Sequence, residues 1–459
     1  MNVILVVSDT LRYDCVSYHR VDPYRWDIRN RPRTPHIDRF AERALVFDRA
    51  YTGSFPTIPM RTDMIAGKLT FPYRGWTPLP EDEAILAEEL TNAGYVSMLI
   101  CDTPHLVRDG HRFDRGFSAW HWNRGQEGDR AITDDVPVVP PCDAAKQRLP
   151  ERHLRCHLKW RTVHWQCEED TFVAKTMRDA CRWLERNYTH PNFFLWVDAF
   201  DPHEPWDPPL HYVDMYDPGY EGQVVDHPRY DYQSFLRPEE LRHCRALYAG
   251  EVTLVDTWVG RLLETIEHLG LYEDTAVFFL SDHGHYIGDH GRVGKSGQGP
   301  DGPWPLYQEI NHIVMMGRVP GGVQGARVDT LVQPVDVMPT VLELAGLDVP
   351  QGLHGISLVP AFYGRPVLQR PVIVTSPGLT GDPERPVCSA ITDGEWTLQY
   401  RGPRYPSELH HLSSDPFMLR DVYTQERTQA ERLHRAYVDL LREVGTDEAK
   451  LMQRVELPT

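Results

Sequence analysis

Short apolar runs alternate along the chain with longer stretches in which apolar residues recur at helical spacing. The runs have strand length and predict buried strands over residues 3–9, 45–51, 95–101, 192–200 and 276–284, with further strands at 313–317 and 371–375. The longer stretches predict helices over residues 35–44, 82–94, 170–187, 238–270 and 335–346. Strands that alternate with helices are typical of a mainly parallel sheet with helices on both faces. We therefore expect an α/β fold built on a large, mixed, mainly parallel sheet.

One internal region departs from this alternation. Residues 103–169 are rich in Pro, Trp, His and charged residues and show little periodicity, which predicts an irregular insertion. The insertion is either a substrate-specificity segment or a surface elaboration, and the sequence favours neither interpretation.

The pattern changes again near the C-terminal end. Short alternating strands at 388–394 and 395–400 precede a terminal helix at 429–444. We therefore expect a large domain over residues 1–375, with the insertion inside it, and a small α+β subdomain over residues 376–459.

Two of the predicted strands end in side chains that bind hard metal ions. The first, over residues 3–9, closes with Asp9, and the strand over residues 276–284 carries Asp282 and His283 near its end. In an open parallel sheet, ligands bind just beyond the carboxyl ends of the strands, so residues remote in sequence meet there. The alternative is that each carboxylate only caps the turn that follows its strand. The occurrence of two such strands favours a divalent metal site.

Composition narrows the classes of partner. The formal net charge is −18, with 66 acidic and 48 basic residues, which disfavours nucleic acid and anionic membrane surfaces as partners. An anionic substrate therefore needs a local cationic device such as a metal ion, a helix N-terminus or a few Arg and Lys side chains. No apolar stretch approaches the roughly 20 residues of a membrane span.

The cysteines and the start of the chain bear on location. The eight cysteines are scattered and form no C-x-x-C pair, a pattern typical of reduced thiols. The first strand is predicted to begin at residue 2, and we therefore expect no secretory signal. We expect a cytoplasmic protein that acts on a small anionic substrate, and a homo-oligomer is possible.

Residues 54–68 follow a predicted strand and open a helix. Thr57 is the predicted N-cap, Pro59 falls in the first turn, and Arg61 follows one turn on. A helix N-terminus offers unpaired N–H donors and the positive end of the helix dipole, so a hydroxyl there lies beside an anion site. The alternative interpretation is an ordinary threonine cap.

The stretch from Thr57 to Gly67 resembles the C-x-P-S-R-x-x-x-(L/I)-T-G element of the sulfatase family in the alkaline phosphatase superfamily. Other segments agree with this resemblance, namely 2–14, 248–284, 288–295, 306–317, 336–347, 354–358 and 408–416. The resemblance runs nearly end to end and is weakest across residues 103–169. It implies an alkaline phosphatase-like α/β fold and an ester hydrolase.

The resemblance also implies roles for individual residues. Asp9, Asp282 and His283 match the metal ligands, and Thr57 matches the nucleophile, whose oxygen also approaches the metal. Arg61 matches the arginine beside the nucleophile, Lys295 the lysine that contacts the substrate oxyanion, and His203 the histidine that contacts the anion or the leaving group. As an alternative, His203 only orders its Pro-rich loop. His105 falls near a further family histidine, although Thr103 stands where the family has a lysine.

Two departures from the family pattern shape the expected chemistry. Thr57 replaces the Cys that true sulfatases convert to formylglycine, and a secondary alcohol cannot undergo that conversion. Thr10 replaces the second carboxylate of the usual Asp-Asp pair, which makes the metal site less negative. We therefore expect a metal-dependent hydrolase of a phosphate or phosphonate (di)ester, with Thr57 as nucleophile and a covalent intermediate.

Metal count and rival functions remain open at this point. A single Ca²⁺, Mn²⁺, Mg²⁺ or Zn²⁺ ion is expected. A second metal, for which Asp201, His203 and His354 carry ligand side chains, is not expected. His285, Asp289 and His290 are interpreted as loop-ordering residues. The first rival function is a sulfuric ester hydrolase that works without formylglycine, and the second is a catalytically silent family member that acts as a binding module.

Overall fold

The apolar runs form strands close to the predicted positions. A computed structural model of the chain describes residues 1–19 and 25–458. The strands are β1 (Asn2–Ser8), β2 (Leu45–Ala50), β3 (Ser54–Phe55), β4 (Val96–Cys101), β5 (Ala119–Trp122), β6 (Phe193–Ala199), β7 (Asp231–Tyr232), β8 (Thr275–Ser281), β9 (Tyr286–Ile287), β10 (Arg292–Gly294), β11 (Gln298–Gly299), β12 (Gly302–Pro303), β13 (Met315–Arg318), β14 (Ala326–Val332), β15 (Ile373–Pro377), β16 (Ser389–Thr392), β17 (Trp396–Tyr400) and β18 (Glu408–His411).

The helices also follow the periodicity of the sequence. They are α1 (Pro35–Ala41), α2 (Thr57–Ala66), α3 (Leu86–Asn92), α4 (Pro104–Val107), α5 (Pro150–His153), α6 (Lys159–His164), α7 (Phe172–Asn187), α8 (Leu210–Val213), α9 (Pro238–His268), α10 (Gln308–Asn311), α11 (Val337–Leu344), α12 (Val359–Phe362), α13 (Arg427–Glu443) and α14 (Glu448–Met452). Within the described ranges, none of these helices has the length and apolar character needed to cross a membrane.

The main sheet has eight strands in the order β14-β2-β13-β8-β1-β6-β4-β5. β13 runs antiparallel to both of its neighbours, whereas the other adjacent pairs are parallel. In the central strand β1, Ile4 and Val6 pack on one face with α1, α7 and α9. Val3, Leu5 and Val7 pack on the other face with α2, α3 and α11. Because helices cover both faces of the sheet, β1 is a continuous run of apolar residues. The predicted fold class is confirmed.

A second, five-stranded sheet has the order β18-β17-β16-β15-β3. The strand predicted over residues 371–375 forms β15 and belongs to this sheet, beside β16, rather than to the main sheet. Its other neighbour, β3, lies directly before α2. The segment that leads to Thr57 is therefore held by the second sheet as well as by the main core.

Residues 103–169 contain more regular structure than the predicted irregular insertion. β5 extends the edge of the main sheet by pairing in parallel with β4, and α4 is a short helix. α5 and α6 are the two ends of one continuous helix over residues 150–164, joined by a π-helical segment at Leu154–Leu158. β5 and α4 have four residues each, too few to show a hydrophobic period. In residues 150–164 the π-helical segment interrupts the 3.6-residue period, so the sequence pattern missed that helix as well.

Candidate active site

Asp9 and Asp282 are neighbours because the strands that carry them are neighbours. β1 and β8 pair in parallel register up to Ser8 and Ser281, so the next residue of each strand leaves the sheet at the same point. Together with His283 they form a group in which one ligand atom from each residue lies within 4.8 Å of the others. All three side chains are fully buried.

The donor set fits a divalent cation. Asp9 Oδ2 is buried and accepts no hydrogen bond within the described residues. His283 Nδ1 donates to the carbonyl of Gly284 at 3.0 Å, so its Nε2 carries the lone pair. That Nε2 lies 3.4 Å from Asp282 Oδ2 and 3.9 Å from Asp9 Oδ1. Burial lowers the pKa of His283 to about 3, so the imidazole is neutral, as metal ligation requires. A lone pair that faces two carboxylates calls for a cation between them.

Thr10, which replaces the expected carboxylate, holds the two aspartates in place. Its Oγ1 donates to Asp9 Oδ1 and its amide donates to Asp282 Oδ1, both at 2.7 Å. The backbone of Thr10 has φ of 62°, which is costly for a β-branched residue. The hydroxyl of Tyr248 donates to the Thr10 carbonyl at 2.7 Å and supports this conformation.

Thr57 is the first residue of α2 rather than its N-cap, so the predicted cap is wrong. The N-cap is Pro56, and no side chain caps the helix. The Thr57 hydroxyl is consequently not engaged with its own helix. Thr57 Oγ1 lies 3.4 Å from His283 Nε2, beside the candidate metal ligands.

Arg61 is fully buried and is surrounded by carboxylates. Its Nε and Nη2 donate to Asp198 at 2.8 and 3.0 Å, and its Nη1 donates to Asp282 at 2.7 Å. The same Nη1 lies 3.2 Å from Asp9 Oδ2 and 3.3 Å from the Thr57 carbonyl. The guanidinium therefore neutralises the carboxylates of Asp9 and Asp282 and connects them to the start of α2.

Asp198 is a site residue that sequence reasoning missed. It lies in β6, next to β1, and also accepts a hydrogen bond from Thr103 Oγ1 at 2.5 Å. Burial raises its pKa, and Arg61 opposes that shift. The available signal was a third buried strand, in the segment 192–200, with a carboxylate close to its carboxyl end.

Lys295 and His203 line the same region. Lys295 directly follows β10 and is 6% exposed. Its positive charge acts to lower the pKa values of Asp9, His203 and His283. His203 Nδ1 donates to the carbonyl of Glu204 at 2.5 Å, and its ring stacks on Phe200 at 3.9 Å. Burial holds the pKa of His203 well below its usual range, so its Nε2 presents a lone pair in the free protein.

His105 contacts Glu127, a second residue near the site that sequence reasoning missed. Its Nε2 lies 3.3 Å from Oε2 of Glu127, a buried residue with φ of 46°. Although burial opposes it, His105, His203 and Arg148 hold the pKa of Glu127 well below its usual range. No motif marks Glu127, because it comes from the aperiodic insertion.

Two of the side chains considered for a second metal, Asp201 and His354, are engaged in other contacts. Asp201 accepts from Gln126 Nε2 at 2.8 Å and from the amide of Val173 at 3.2 Å. His354 Nδ1 accepts from the amide of Leu69 at 3.0 Å. Within residues 1–19 and 25–458, the group of Asp9, Asp282 and His283 is the only cluster with metal-ligand spacing.

Three further residues, which follow His283 in the chain, order the loops around them. His285 Nδ1 donates to the carbonyl of Tyr286 at 2.8 Å, and Asp289 Oδ2 accepts from Arg12 at 2.6 Å. His290 Nε2 lies 3.3 Å from Glu309. These contacts agree with the loop-ordering interpretation.

Comparison with known proteins settles the family. The sulfatase family model matches residues 1–347. The chain belongs to the sulfatase family. It therefore belongs to the alkaline phosphatase superfamily and is a hydrolase of sulfatase type, as expected.

Relatives within the family include enzymes of more than one kind. An arylsulfatase of Clostridium perfringens is 24% identical, over 78% of this chain and 77% of its own. A multifunctional alkaline phosphatase superfamily protein of Trinickia caryophylli is 25% identical, over 78% of this chain and 76% of its own.

Two solved phosphonate monoester hydrolases share the fold. The structure from Agrobacterium radiobacter has a TM-score of 0.71 and 22% identity, and covers 96% of this chain and 95% of its own. The structure from Silicibacter pomeroyi has a TM-score of 0.72 and 24% identity, and covers 96% of this chain and 94% of its own.

Proposed function

We propose that this sulfatase-family protein is a metal-dependent hydrolase that cleaves a small anionic phosphate or phosphonate ester, diesters included. The observation that carries the proposal is the position of the Thr57 hydroxyl. This hydroxyl does not cap its helix, is buried, and lies 3.4 Å from Nε2 of the candidate ligand His283. A threonine cannot become formylglycine, whereas its hydroxyl can attack phosphorus directly.

The candidate ligands of the cation are Asp9, Asp282 and His283, with Thr57 beside them. When bound, a divalent cation supplies charge neutralisation and a lower pKa for the neighbouring hydroxyl. Its identity is one of Ca²⁺, Mn²⁺, Mg²⁺ or Zn²⁺, because the oxygen and imidazole donors suit each of them.

In the first step, a bond forms between Thr57 Oγ1 and phosphorus while the bond from phosphorus to the leaving oxygen breaks. Thr57 loses its proton and the leaving oxygen gains one, so the alcohol departs neutral. Water then attacks phosphorus, the bond to Oγ1 breaks, and the hydroxyl is restored. Such a covalent intermediate divides one difficult displacement into two.

The protein's own groups stabilise these steps. The Lys295 ammonium and the N-terminus of α2 oppose the charge on the non-bridging oxygens. Arg61 keeps Asp9 and Asp282 together and fixes the Thr57 carbonyl. His203 Nε2 accepts a proton and delivers it to the leaving oxygen.

A sulfuric ester hydrolase that works without formylglycine is the second candidate, favoured by the similarity to an arylsulfatase. A substrate panel separates the two. The purified protein is loaded separately with Mn²⁺, Zn²⁺, Ca²⁺ and Mg²⁺ and assayed on aryl phosphate monoesters, phosphate diesters, phosphonates and sulfates. We expect phosphorus esters to be the better substrates, and dominant sulfate turnover contradicts the proposal.

Thr57 variants test the covalent mechanism. Thr57→Ala should lower kcat by at least about 10³-fold, because the attacking oxygen is gone. Thr57→Ser keeps a hydroxyl of the same reach and should retain much more activity. Full activity of Thr57→Ala would refute a Thr57 nucleophile, and no turnover with any metal would favour a binding module.

We further propose a cytoplasmic location. All eight cysteines are free, which suits a reducing compartment. Cell fractionation with an antibody tests this, and recovery outside the cytoplasm would overturn it.

A further inference from the structure

A cleft in the insertion gathers positive charge. It has a volume of about 660 Å³. Its charged lining residues are Arg108, Asp109, Arg130, Arg152 and Arg155, and we call it the arginine cleft. Four guanidinium groups thus face one carboxylate, in a chain whose formal net charge is −18. This local excess of positive charge is unexpected in an acidic protein.

The acidic neighbours neutralise these arginines only in part. Arg108 Nε pairs with Asp109 at 3.0 Å, but its Nη1 is buried and has no hydrogen-bond partner among the described residues. Arg155 and Glu151 lie 3.6 Å apart with side chains 72% and 88% exposed, so their pairing is weak. In the part of the chain that the structure describes, no ion pair involves Arg130. Donors therefore remain available inside the cleft.

The backbone is built to hold one of these guanidinium groups. A Cβ at Gly128 would lie 1.8 Å from Nε of Arg152, so the absence of a side chain makes room for the arginine. Burial raises the pKa of the nearby Cys156 thiol, and the charges of Arg152, Arg155 and Arg130 oppose that shift. Three arginines from two parts of the insertion therefore converge around one thiol.

Short contacts connect the arginine cleft with the active site. Arg152 Nη2 lies 3.7 Å from Glu127 Oε2, which lies 3.3 Å from His105 Nε2. Arg108 Nη2 lies 3.2 Å from Nδ1 of the same histidine. The His105 ring meets the Phe200 ring edge-on at a centroid distance of 5.7 Å, and the His203 ring stacks on Phe200 at 3.9 Å. The cleft thus begins on the leaving-group side of the proposed reaction centre.

We propose that the arginine cleft binds a second anionic group of the substrate, so that the natural substrate is an ester whose leaving group carries a distal carboxylate, phosphate or sulfate. The planar guanidinium donates two parallel hydrogen bonds to each of these anions. This inference rests on the proposed function in one respect, namely that an anionic ester reacts at the Thr57 site. It gives the insertion the role of a specificity segment.

Unreactive probes test the cleft without turnover. Alkylphosphonates are compared with α,ω-diphosphonates that have propane, hexane and nonane spacers, and binding is measured by calorimetry with the metal-loaded Thr57→Ala protein. Parallel series replace the distal phosphonate by a carboxylate or a sulfonate and so distinguish the three anions. A further series with sulfonate at the reacting end keeps the test valid if the enzyme cleaves sulfate esters.

We expect the best two-anion probe to bind at least about tenfold more tightly than its one-anion partner, with a preference that shrinks as salt is added. In the variant Arg130→Gln/Arg155→Gln, the ratio of the two dissociation constants should fall towards one. The control Arg261→Gln/Arg442→Gln removes the same charge from exposed positions on α9 and α13 and should keep the ratio. Thermal unfolding of all variants verifies that they fold.

Three results overturn the proposal. The first is a protein that shows no preference for any two-anion probe. The second is a ratio that the cleft variant leaves unchanged, and the third is an equal loss in the control, which would indicate general electrostatics. The binding ratios can be measured even if the protein does not turn over phosphorus esters. A failure of the proposed function is therefore distinguishable from a failure of the proposal for the arginine cleft.

Discussion

Arg61 and the arginines of the arginine cleft carry the same charge in opposite surroundings. Arg61 is fully buried, and its donors are taken by Asp198 and Asp282. The side chains of Arg152 and Arg155 are 39% and 72% exposed and have acidic neighbours only at 3.6–3.7 Å. A guanidinium that is already saturated organises a site, whereas one with free donors can recognise a ligand.

The largest expected effect comes from the ligand group itself. Asp282→Asn should lower kcat/KM by at least about 10³-fold, because the site loses a charged ligand and Arg61 loses a partner. Metal content, measured by atomic absorption after dialysis, should fall with activity. Asp274→Asn, an exposed position just before β8, serves as the control and should change neither. A variant that loses activity but keeps its metal would point to a role other than ligation.

Arg61 should matter for stability far more than an arginine of the cleft. Arg61→Met leaves Asp9, Asp198 and Asp282 without their counter-charge, and we expect a loss of about 3–5 kcal/mol in the free energy of unfolding. Arg155→Met should change it by less than about 0.5 kcal/mol. Urea unfolding after chelation of metal measures both values. Similar losses in the two variants would remove the distinction between organising and recognising arginines.

The loop that carries Glu127 depends on a glycine. Gly125 has φ of 114°, and a Cβ there would lie 2.3 Å from the Trp160 ring. Gly125→Ala should therefore cost about 2 kcal/mol and make residues 103–169 more sensitive to protease. Gly219→Ala also has positive φ, 75°, but no atom within 4 Å, so it separates backbone strain from the clash. Equal effects of both substitutions would show that packing under Trp160 is unimportant.

A further expected effect is that acid weakens the contact that anchors the insertion. Asp207 Oδ2 lies 2.9 Å from His157 Nε2 and 3.0 Å from Arg161 Nη1. Although burial opposes it, these two partners lower the pKa of Asp207 from 3.8 to about 2. A depressed carboxyl pKa stabilises the fold above the unfolded value, and that contribution is lost as the pH falls from about 4 to about 2.

We expect up to about 2.5 kcal/mol of the acid dependence of unfolding to disappear in Asp207→Asn, which is the free energy that corresponds to this pKa shift. Unfolding free energies at several acidic pH values, compared with those of the unsubstituted protein, measure this. An unchanged pH slope would mean that Asp207 does not anchor the insertion through its charge.

Strong local patterns were sufficient for much of the main sheet and part of the site. The buried runs before Asp9 and Asp282 predicted strands that the structure confirms, and parallel pairing makes their ends adjacent. The strand at 371–375 was predicted correctly as an element, but its membership of the second sheet was not visible. Strand identity is a local property, whereas the choice of partner strand depends on long-range packing.

Other features escaped prediction because they arise from contacts between distant segments. Thr57 was assigned as a cap from residue preference, yet the helix begins at Thr57 because Pro56 takes the cap position. Asp198 became a site residue only when β6 paired with β1 and brought it to Arg61. The roles of Thr57, Arg61, Lys295 and His203 remain predictions, and the variants above test those of Thr57 and Arg61.

The sequence by itself determined the family, the alternating α/β architecture and the replacement of the formylglycine precursor by Thr57, since each is written in local periodicity or in a contiguous motif. Only the tertiary structure decided that Arg61 is enclosed by carboxylates and that Glu127 reaches His105. It also decided that four arginines of an aperiodic insertion face one cleft. Burial and pairing depend on which distant segments pack together, and no local pattern encodes that choice.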